Sequence, residues 1–317
     1  MAEALGRVYR GFGLSIASQI DLSSFPLGSG IPDVVIRLQN EHPLSSWPAA
    51  ESQDGAFFHR IETNEAVIGF GGIAIFRICH GREISVWSWP GVDRDHLSLR
   101  VTGAAMGCLL WQRGALPLHA SSIAIDGTVA AFIGVSGAGK STIAASLCRL
   151  GHTLIADDIT SIQTKGCPQA VPAFPRIRLL PAVVNEFGDM ATCVTSKVDD
   201  KVTIPPERFS DSSLPLGAIY VLDPQGEPGI TAVTPHEKML ELIRHSYPTR
   251  LVHSPGPEHF RRCAALADST PIYRIRPTDG VSALPRLCAE IERHFRHARV
   301  WGRAGVQAFQ PVAGNAP

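Results

Sequence analysis

Short runs of alternating apolar and polar residues mark the first 90 positions. Within residues 7–18, Val8, Phe12, Leu14 and Ile16 fall on one side with Arg10 interleaved, the period of two that a strand requires. Similar runs follow at 33–38, 56–62, 72–78 and 82–88, separated by Gly, Pro, Asn and Ser clusters. The stretch GGIAIFRICHGREISVW predicts a hairpin that turns at Cys79–Arg82. Residues 1–92 therefore predict a small, mostly antiparallel β domain. At about 95–113 the period lengthens: Leu99, Met106 and Leu110 recur near multiples of 3.6, and Gly114 is placed to end a helix. Gly103 and Gly107, four apart on it, predict close packing on a neighbouring sheet.

From residue 115 the texture becomes strand, turn, helix, strand. Leu118–Ile125 and the apolar run Val129–Ile133 predict strands around an Asp126-Gly127 turn. Ser141–Leu150 predicts a helix closed by Gly151, and Thr153–Ala156 a short buried strand ending at Asp157-Asp158. A strand–helix–strand run of this length predicts a parallel, right-handed unit with its two strands near neighbours. Residues 166–215 read as long functional loops with a few short strands. Ala218–Leu222 and Ile272–Ile275 predict strands, 235–246, 257–267 and 281–298 predict helices, and residues after about 302 a frayed tail. The catalytic part is then 93–302, with 303–317 as tail.

Composition narrows the function classes. Lys plus Arg and Asp plus Glu are 29 each, so the chain has no net field for nucleic acid or an anionic membrane. No apolar run reaches the length of a membrane-spanning helix, and the N-terminus lacks the apolar core of a secretory signal. The seven cysteines are odd in number and form no C-x-x-C pair, which predicts reduced thiols in a cytoplasmic protein. His294 and His297, on one helix face with Arg293 and Arg296, predict a solvated basic face rather than a metal site. Of the basic residues only Lys140, Lys165, Lys197, Lys201 and Lys238 are lysine. Ammonium is a compact point charge and guanidinium a planar fork, so a lysine that survives in an Arg-rich chain can be one that arginine cannot replace.

Gly134-Val-Ser-Gly-Ala-Gly-Lys140-Ser141 fits G-x-x-x-x-G-K-[ST], preceded by an apolar strand and followed by an amphipathic helix. Glycines at 134, 137 and 139 let successive backbone N–H groups, those of Ser136, Ala138 and Thr142 among them, turn toward one anion. The positive helix end adds to that field. Lys140 is placed to reach phosphate oxygens and Ser141 to ligate magnesium. Asp157 and Asp158, at the end of the next strand, face the same place. Successive strand residues point to opposite faces, so the two aspartates cannot be equivalent. One serves a metal, directly or through water, and the other accepts a proton from an incoming hydroxyl. His119 lies on the strand before the loop strand, among small residues.

The segment LHASSIAIDGTVAAFIGVSGAGKSTIAASLCRLGHTLIADD resembles the HPr kinase/phosphorylase family, whose pattern is a strand His, a G-x-S-G-x-G-K-S loop and R-G-H-x-L-[VI]-A-D-D. The match is strong over about 118–158 and looser beyond. The resemblance implies an α/β P-loop kinase fold similar to the nucleotide-binding core of phosphoenolpyruvate carboxykinase, using ATP and Mg2+. It implies Asp157 as the base toward the acceptor serine, Asp158 as support for metal or substrate, and His119 as a positioning or charge-stabilising group. By the same resemblance Lys201, just before Val202–Pro206, reaches the transferring phosphoryl group from the side opposite Lys140. Arg176 and Arg178, two apart on a candidate strand, would face one way and clamp a phosphate or carboxylate of the substrate.

The chain departs from that family at Ser141-Thr142, where the family has Ser-Glu, and at Pro175–Leu179, where it has an E-[IV]-R-G-[ILV]-G signature. The N-terminal β domain also differs. The whole is more similar to the kinase-like proteins of lasso peptide clusters, which phosphorylate the C-terminal serine of a precursor peptide. The resulting expectation is a serine kinase acting on a peptide or small protein, with a homo-oligomer implied by the hexameric family. Its competitors are a nucleotide-gated binding or scaffold module without transfer, and a kinase of a small metabolite.

Overall fold

The computed structural model describes residues 6–40, 57–62, 64–188, 193–251, 256–277 and 280–307. The architecture is mixed α/β, with two large sheets and one small one.

The first sheet has seven strands in the order β1-β2-β3-β7-β6-β5-β4: β1 (Arg7–Gly11), β2 (Leu14–Ser18), β3 (Val34–Leu38), β4 (Phe57–Ile61), β5 (Glu65–Phe70), β6 (Ala74–Cys79) and β7 (Glu83–Ser88). The β2–β3 and β3–β7 pairings are parallel and the other four antiparallel. The single run expected at 7–18 is a hairpin. Phe12 and Gly13 take φ of 56° and 69°, the left-handed backbone of a two-residue turn. The turn reverses the alternation: Val8, expected beside Ile16, pairs with Ala17 and is half-buried, and it is Tyr9 that pairs with Ile16 and is buried with it. The strand β5 was not expected, and it pairs with β6 over its whole length.

Helix α1 (Arg94–Arg100) starts under an Asp93 cap and runs through a kinked turn, Val101–Ala105, into α2 (Met106–Gln112). Leu97, Val101, Met106 and Leu109 share a buried core with Ile16, Ile36, Phe76 and Val86 of the first sheet. Ala156, Phe174 and Tyr247 join the same core from later in the chain, and Phe25 stacks on Phe174 with 4.0 Å between ring centroids. Residues on either side of the anticipated boundary at 92–93 thus share one interior.

The second sheet comprises β8 (Leu116–Leu118), β9 (Ala120–Ile125), β10 (Thr128–Gly134), β11 (Thr153–Ala156), β12 (Thr160–Gln163), β13 (Gln169–Val171), β17 (Leu214–Leu222), β18 (Ile230–Ala232) and β19 (Ile272–Ile275). The small sheet, β14 (Ile177–Leu179), β16 (Lys201–Ile204) and β15 (Ser196–Val198), stands apart. Both faces of the second sheet are covered. Ala130 and Phe132 face α3 (Lys140–Arg149) and α8 (Leu284–Gln307), with α4 (Pro181–Phe187) beside them. Val129, Ala131 and Ile133 face α5 (Pro235–His245) and α7 (Pro257–Ser269), with the short α6 (Tyr247–Leu251) between them in the chain. Burial on both faces is why β10 reads as an unbroken apolar run.

Several expectations change here. The strands β10 and β11 run the same way but are not neighbours, because β9 lies between them and pairs antiparallel with both. Leu118–Ile125 is interrupted at His119, leaving β8 to pair with β12 and β9 with β10. The region 166–215 holds the short strands expected there, β13 to β16, and in addition α4, which was not expected. Helix α8 continues to Gln307, past the point expected to fray, and residues 308–317 lie outside the described residues. His294 is not part of a solvated face: its Nδ1 lies 2.9 Å from the Tyr220 hydroxyl and its ring meets Tyr273 edge-on. Lys238 donates to the carbonyls of Ala267 and Thr270, neutralising the end of α7. All seven cysteines are free, and burial pushes the thiols of Cys108, Cys148, Cys263 and Cys288 up to about 12. Among the described residues no helix is long and apolar enough to cross a membrane.

Candidate active site

The glycine-rich turn leaves β10 at Gly134 and enters α3 at Lys140. Gly137 and Gly139 have φ of 83° and 96°, a backbone that side chains with a Cβ seldom adopt. The start of α3 has no side-chain cap, in contrast with α1, where Asp93 accepts from the amides of Asp95 and His96. Its first-turn N–H groups thus keep their anion-binding capacity. The Lys140 ammonium is buried and donates to the carbonyls of Gly134 (2.9 Å) and Val135 (3.0 Å), which folds it back over the loop.

Asp157 and Asp158 lie just beyond the last residue of β11, so strand alternation does not govern them. They diverge because Asp158 takes a left-handed backbone, φ 76°. Such a conformation costs a non-glycine residue about 1 kcal/mol and persists only where its surroundings hold it. Asp157 is buried and accepts three hydrogen bonds. Ser121 Oγ donates to Oδ1 at 2.6 Å, Ser141 Oγ to the same oxygen at 2.8 Å, and the Arg178 amide to Oδ2 at 2.9 Å. Asp158 faces His119, whose Nδ1 lies 3.1 Å from its carbonyl oxygen and 3.2 Å from Oδ1. Both of those atoms are acceptors, so Nδ1 carries the ring proton. Burial favours the neutral Asp158 carboxyl, but the His119 hydrogen bond and the charges of His119, Arg176 and Arg178 outweigh it, holding Asp158 below the usual carboxylate range.

These groups line one cleft of about 610 Å3. Gly137, Lys140, Ser141 and Thr142 form its floor at the loop, with Ser136 and Gly139 beside them. Lys201 enters from the β15–β16 hairpin, and Arg178 from β14. The hairpin tip is held by Asp199, 3.5 Å from Arg100 and 3.6 Å from His96 of α1. Arg176 does not line the cleft. It is buried, lies over the Phe174 ring and donates to Thr102 Oγ1, and burial lowers its pKa to about 10 although Asp158 opposes that. The two arginines therefore do not form a clamp facing one way; both act on Asp158, and Arg178 alone reaches the cleft.

The far wall comes from residues that sequence reasoning left without a role: Phe70, Leu99, Arg100, Gly103, Ala104 and Tyr247. Gly107 packs on the Tyr247 ring, where a Cβ would stand 2.5 Å from a ring carbon, and Gly103 faces Asp158. The two glycines thus serve a tyrosine and the cleft, not a sheet. Ser121 was also missed, although its spacing of two from His119 is a same-side signal. Arg149 and His152 of the quoted motif lie elsewhere: Arg149 donates to the Phe187 carbonyl and His152 pairs with Glu292 of α8.

Among the described residues no cluster of three or more His, Cys, Asp or Glu could hold a metal ion by itself. The pair Ser141 Oγ and Asp157 Oδ1 offers hard oxygen donors beside an anion-binding loop. That set suits magnesium, which takes few protein ligands and completes its shell with phosphate oxygens and water.

No protein-family profile matches this chain, and no curated protein matches it in sequence. Among solved structures it is similar to the HPr(Ser) kinase/phosphatase from Coxiella burnetii, at 14% sequence identity and a TM-score of 0.34, covering 62% of this chain and 99% of that one.

Proposed function

We propose that this chain is an ATP- and magnesium-dependent phosphotransferase acting on a hydroxyl, a serine of a peptide or small protein. The single observation that carries the reading is the convergence in one cleft of an uncapped helix start, a lysine, the Ser141–Asp157 pair and a second carboxylate. A binding module needs the loop alone; the second carboxylate and Lys201 in the same cleft have work to do only in transfer. The similarity of the chain as a whole to the kinase-like proteins of lasso peptide clusters narrows our reading of the acceptor further, to the C-terminal serine of such a precursor peptide.

In this mechanism the amides of Ser136–Thr142 and the Lys140 ammonium bind the donor's phosphates. Lys140 exchanges the carbonyls of Gly134 and Val135 for phosphate oxygens. Ser141 and Asp157 would hold the metal, which supplies charge neutralisation on the phosphate oxygens when bound. Asp157 already accepts three donors, so we allocate it to the metal and Asp158 to the acceptor, the reverse of what the resemblance implies. Asp158 orients the acceptor hydroxyl and takes its proton as the new O–P bond forms. The bond from the γ-phosphorus to the bridging oxygen breaks in the same event, and ADP leaves. His119 holds the Asp158 carboxylate in place through Nδ1, and Arg178 and Lys201 stabilise charge on the transferring group.

Incubation with ATP, Mg2+ and Ser-containing peptides tests the proposal: intact mass should show a gain of about 80 Da on the acceptor, one phosphoryl group. Asp158→Asn should lose transfer by about 100- to 10,000-fold with nucleotide affinity kept. Absence of transfer and of hydrolysis, with loops that resist protease on ATP addition, would instead favour the binding module.

A further inference from the structure

The helical stretch 94–112 is broken by a kink at Gly103, within Val101–Ala105, and that irregularity lies beside Asp158. Gly103 within it has φ −95° and ψ −105°, which is not helical backbone. A Cβ built on Gly103 would meet a single atom outside the local helix within 4 Å, Asp158 Oδ2 at 3.9 Å. The missing side chain therefore leaves a space open to the cleft and bordered by the second carboxylate. Leu99, Arg100, Ala104, Phe70 and Tyr247 line the same cleft, with Arg100 lying over the Phe70 ring. Leu99, Ala104 and Phe70 give this part of the lining an apolar character. A nucleotide phosphate would find no ring of amides there.

We infer that the space above Gly103 is the acceptor slot, through which the substrate hydroxyl reaches Asp158, and that the kink fixes which acceptors fit. The inference rests on the phosphotransferase reading. It adds that specificity resides in the helix bound to the N-terminal sheet rather than in the loop that binds the donor. The acceptor class that matches is a primary hydroxyl on a narrow chain with an apolar neighbour. The neighbour would lie against Phe70 and Leu99, while Arg100 takes any negative charge near it.

The test compares wild type with Gly103→Ala, Gly103→Leu and Ala104→Phe. The last narrows the same slot without touching the glycine. Three quantities are read: affinity for a fluorescent ATP analogue with Mg2+, phosphate release to water, and transfer to a pool of short Ser-containing peptides. Nucleotide affinity should stay within about twofold in all four proteins, as a check on both folding and the donor site. Transfer to peptide should fall by about 100-fold in Gly103→Leu and Ala104→Phe, and less in Gly103→Ala, with peptide KM rising in the last. Two results overturn the inference alone: wild-type transfer by Gly103→Leu and Ala104→Phe, or nucleotide affinity falling in step with transfer. A wild-type protein that binds the analogue yet neither hydrolyses nor transfers overturns the phosphotransferase reading, and the slot with it.

Discussion

Ser141 at the head of α3 donates to Asp157 just beyond β11 at 2.8 Å, although β9 separates the strand that leads into α3 from the strand that delivers Asp157. The contact is long-range in topology and yet forms the floor of the cleft. Ser121, just inside β9, closes it from between at 2.6 Å from the same oxygen. One carboxylate thus ties three adjacent strands together at the ends that carry the loop.

Asp157→Ala removes the acceptor from Ser121, which is fully buried, and from the Arg178 amide. A buried donor left without a partner costs about 1–3 kcal/mol. Chemical denaturation should show a loss in that range, and magnesium should cease to strengthen nucleotide binding. Ser141→Ala should show the second effect with much less of the first, since Ser121 and Arg178 keep their acceptor.

Lys140 and Lys201 both line the cleft, one from the glycine-rich loop and one from β16, and should separate in kinetics. Lys140→Ala is expected to weaken nucleotide affinity at least about tenfold, a loss of about 1.4 kcal/mol, readable by calorimetry. Lys140→Arg should not restore it, because the buried ammonium packs against two carbonyls where a planar fork does not fit. Lys201→Ala should leave affinity within about twofold and reduce turnover by about 100- to 1,000-fold.

Gly107→Ala places a methyl 2.5 Å from a Tyr247 ring carbon, which forces the tyrosine off the cleft wall. Overpacking of this kind costs about 1–3 kcal/mol. The variant should melt at a lower temperature, and Tyr247→Ala in the same background should recover part of the loss by removing the clash.

His259 is fully buried beside Ser246, with Nε2 3.0 Å from Ser246 Oγ. Burial, helped by the charge of Arg262, pushes its pKa down to about 4 from the ordinary 6.5. The unfolded chain therefore binds the extra proton between those values. Stability from this group is complete above pH 6.5 and is lost as pH falls toward 4, by on the order of 3 kcal/mol. Denaturation midpoints at pH 7 and pH 4.5 should differ less in His259→Gln than in wild type.

The local chemistry was legible in the sequence by itself. Glycine spacing determined the phosphate-type turn at 134–141, because positive φ is a property of single residues. Periodicity determined α3, α7, β10 and the β6–β7 hairpin, because the period follows from one element's own geometry. The order His119, loop, Asp157-Asp158 determined which groups meet in the cleft. Tertiary structure alone decided the rest. The insertion of β9 between β10 and β11 depends on pairing across the chain, which no local period encodes. The burial of Arg176 beneath the cleft, and the lining of its far wall by Gly103, Ala104 and Tyr247, depend on how the helix on the N-terminal sheet docks against the second sheet. The roles of the two aspartates separate for the same reason: three donors from three separate elements converge on one, and a histidine and two arginines on the other.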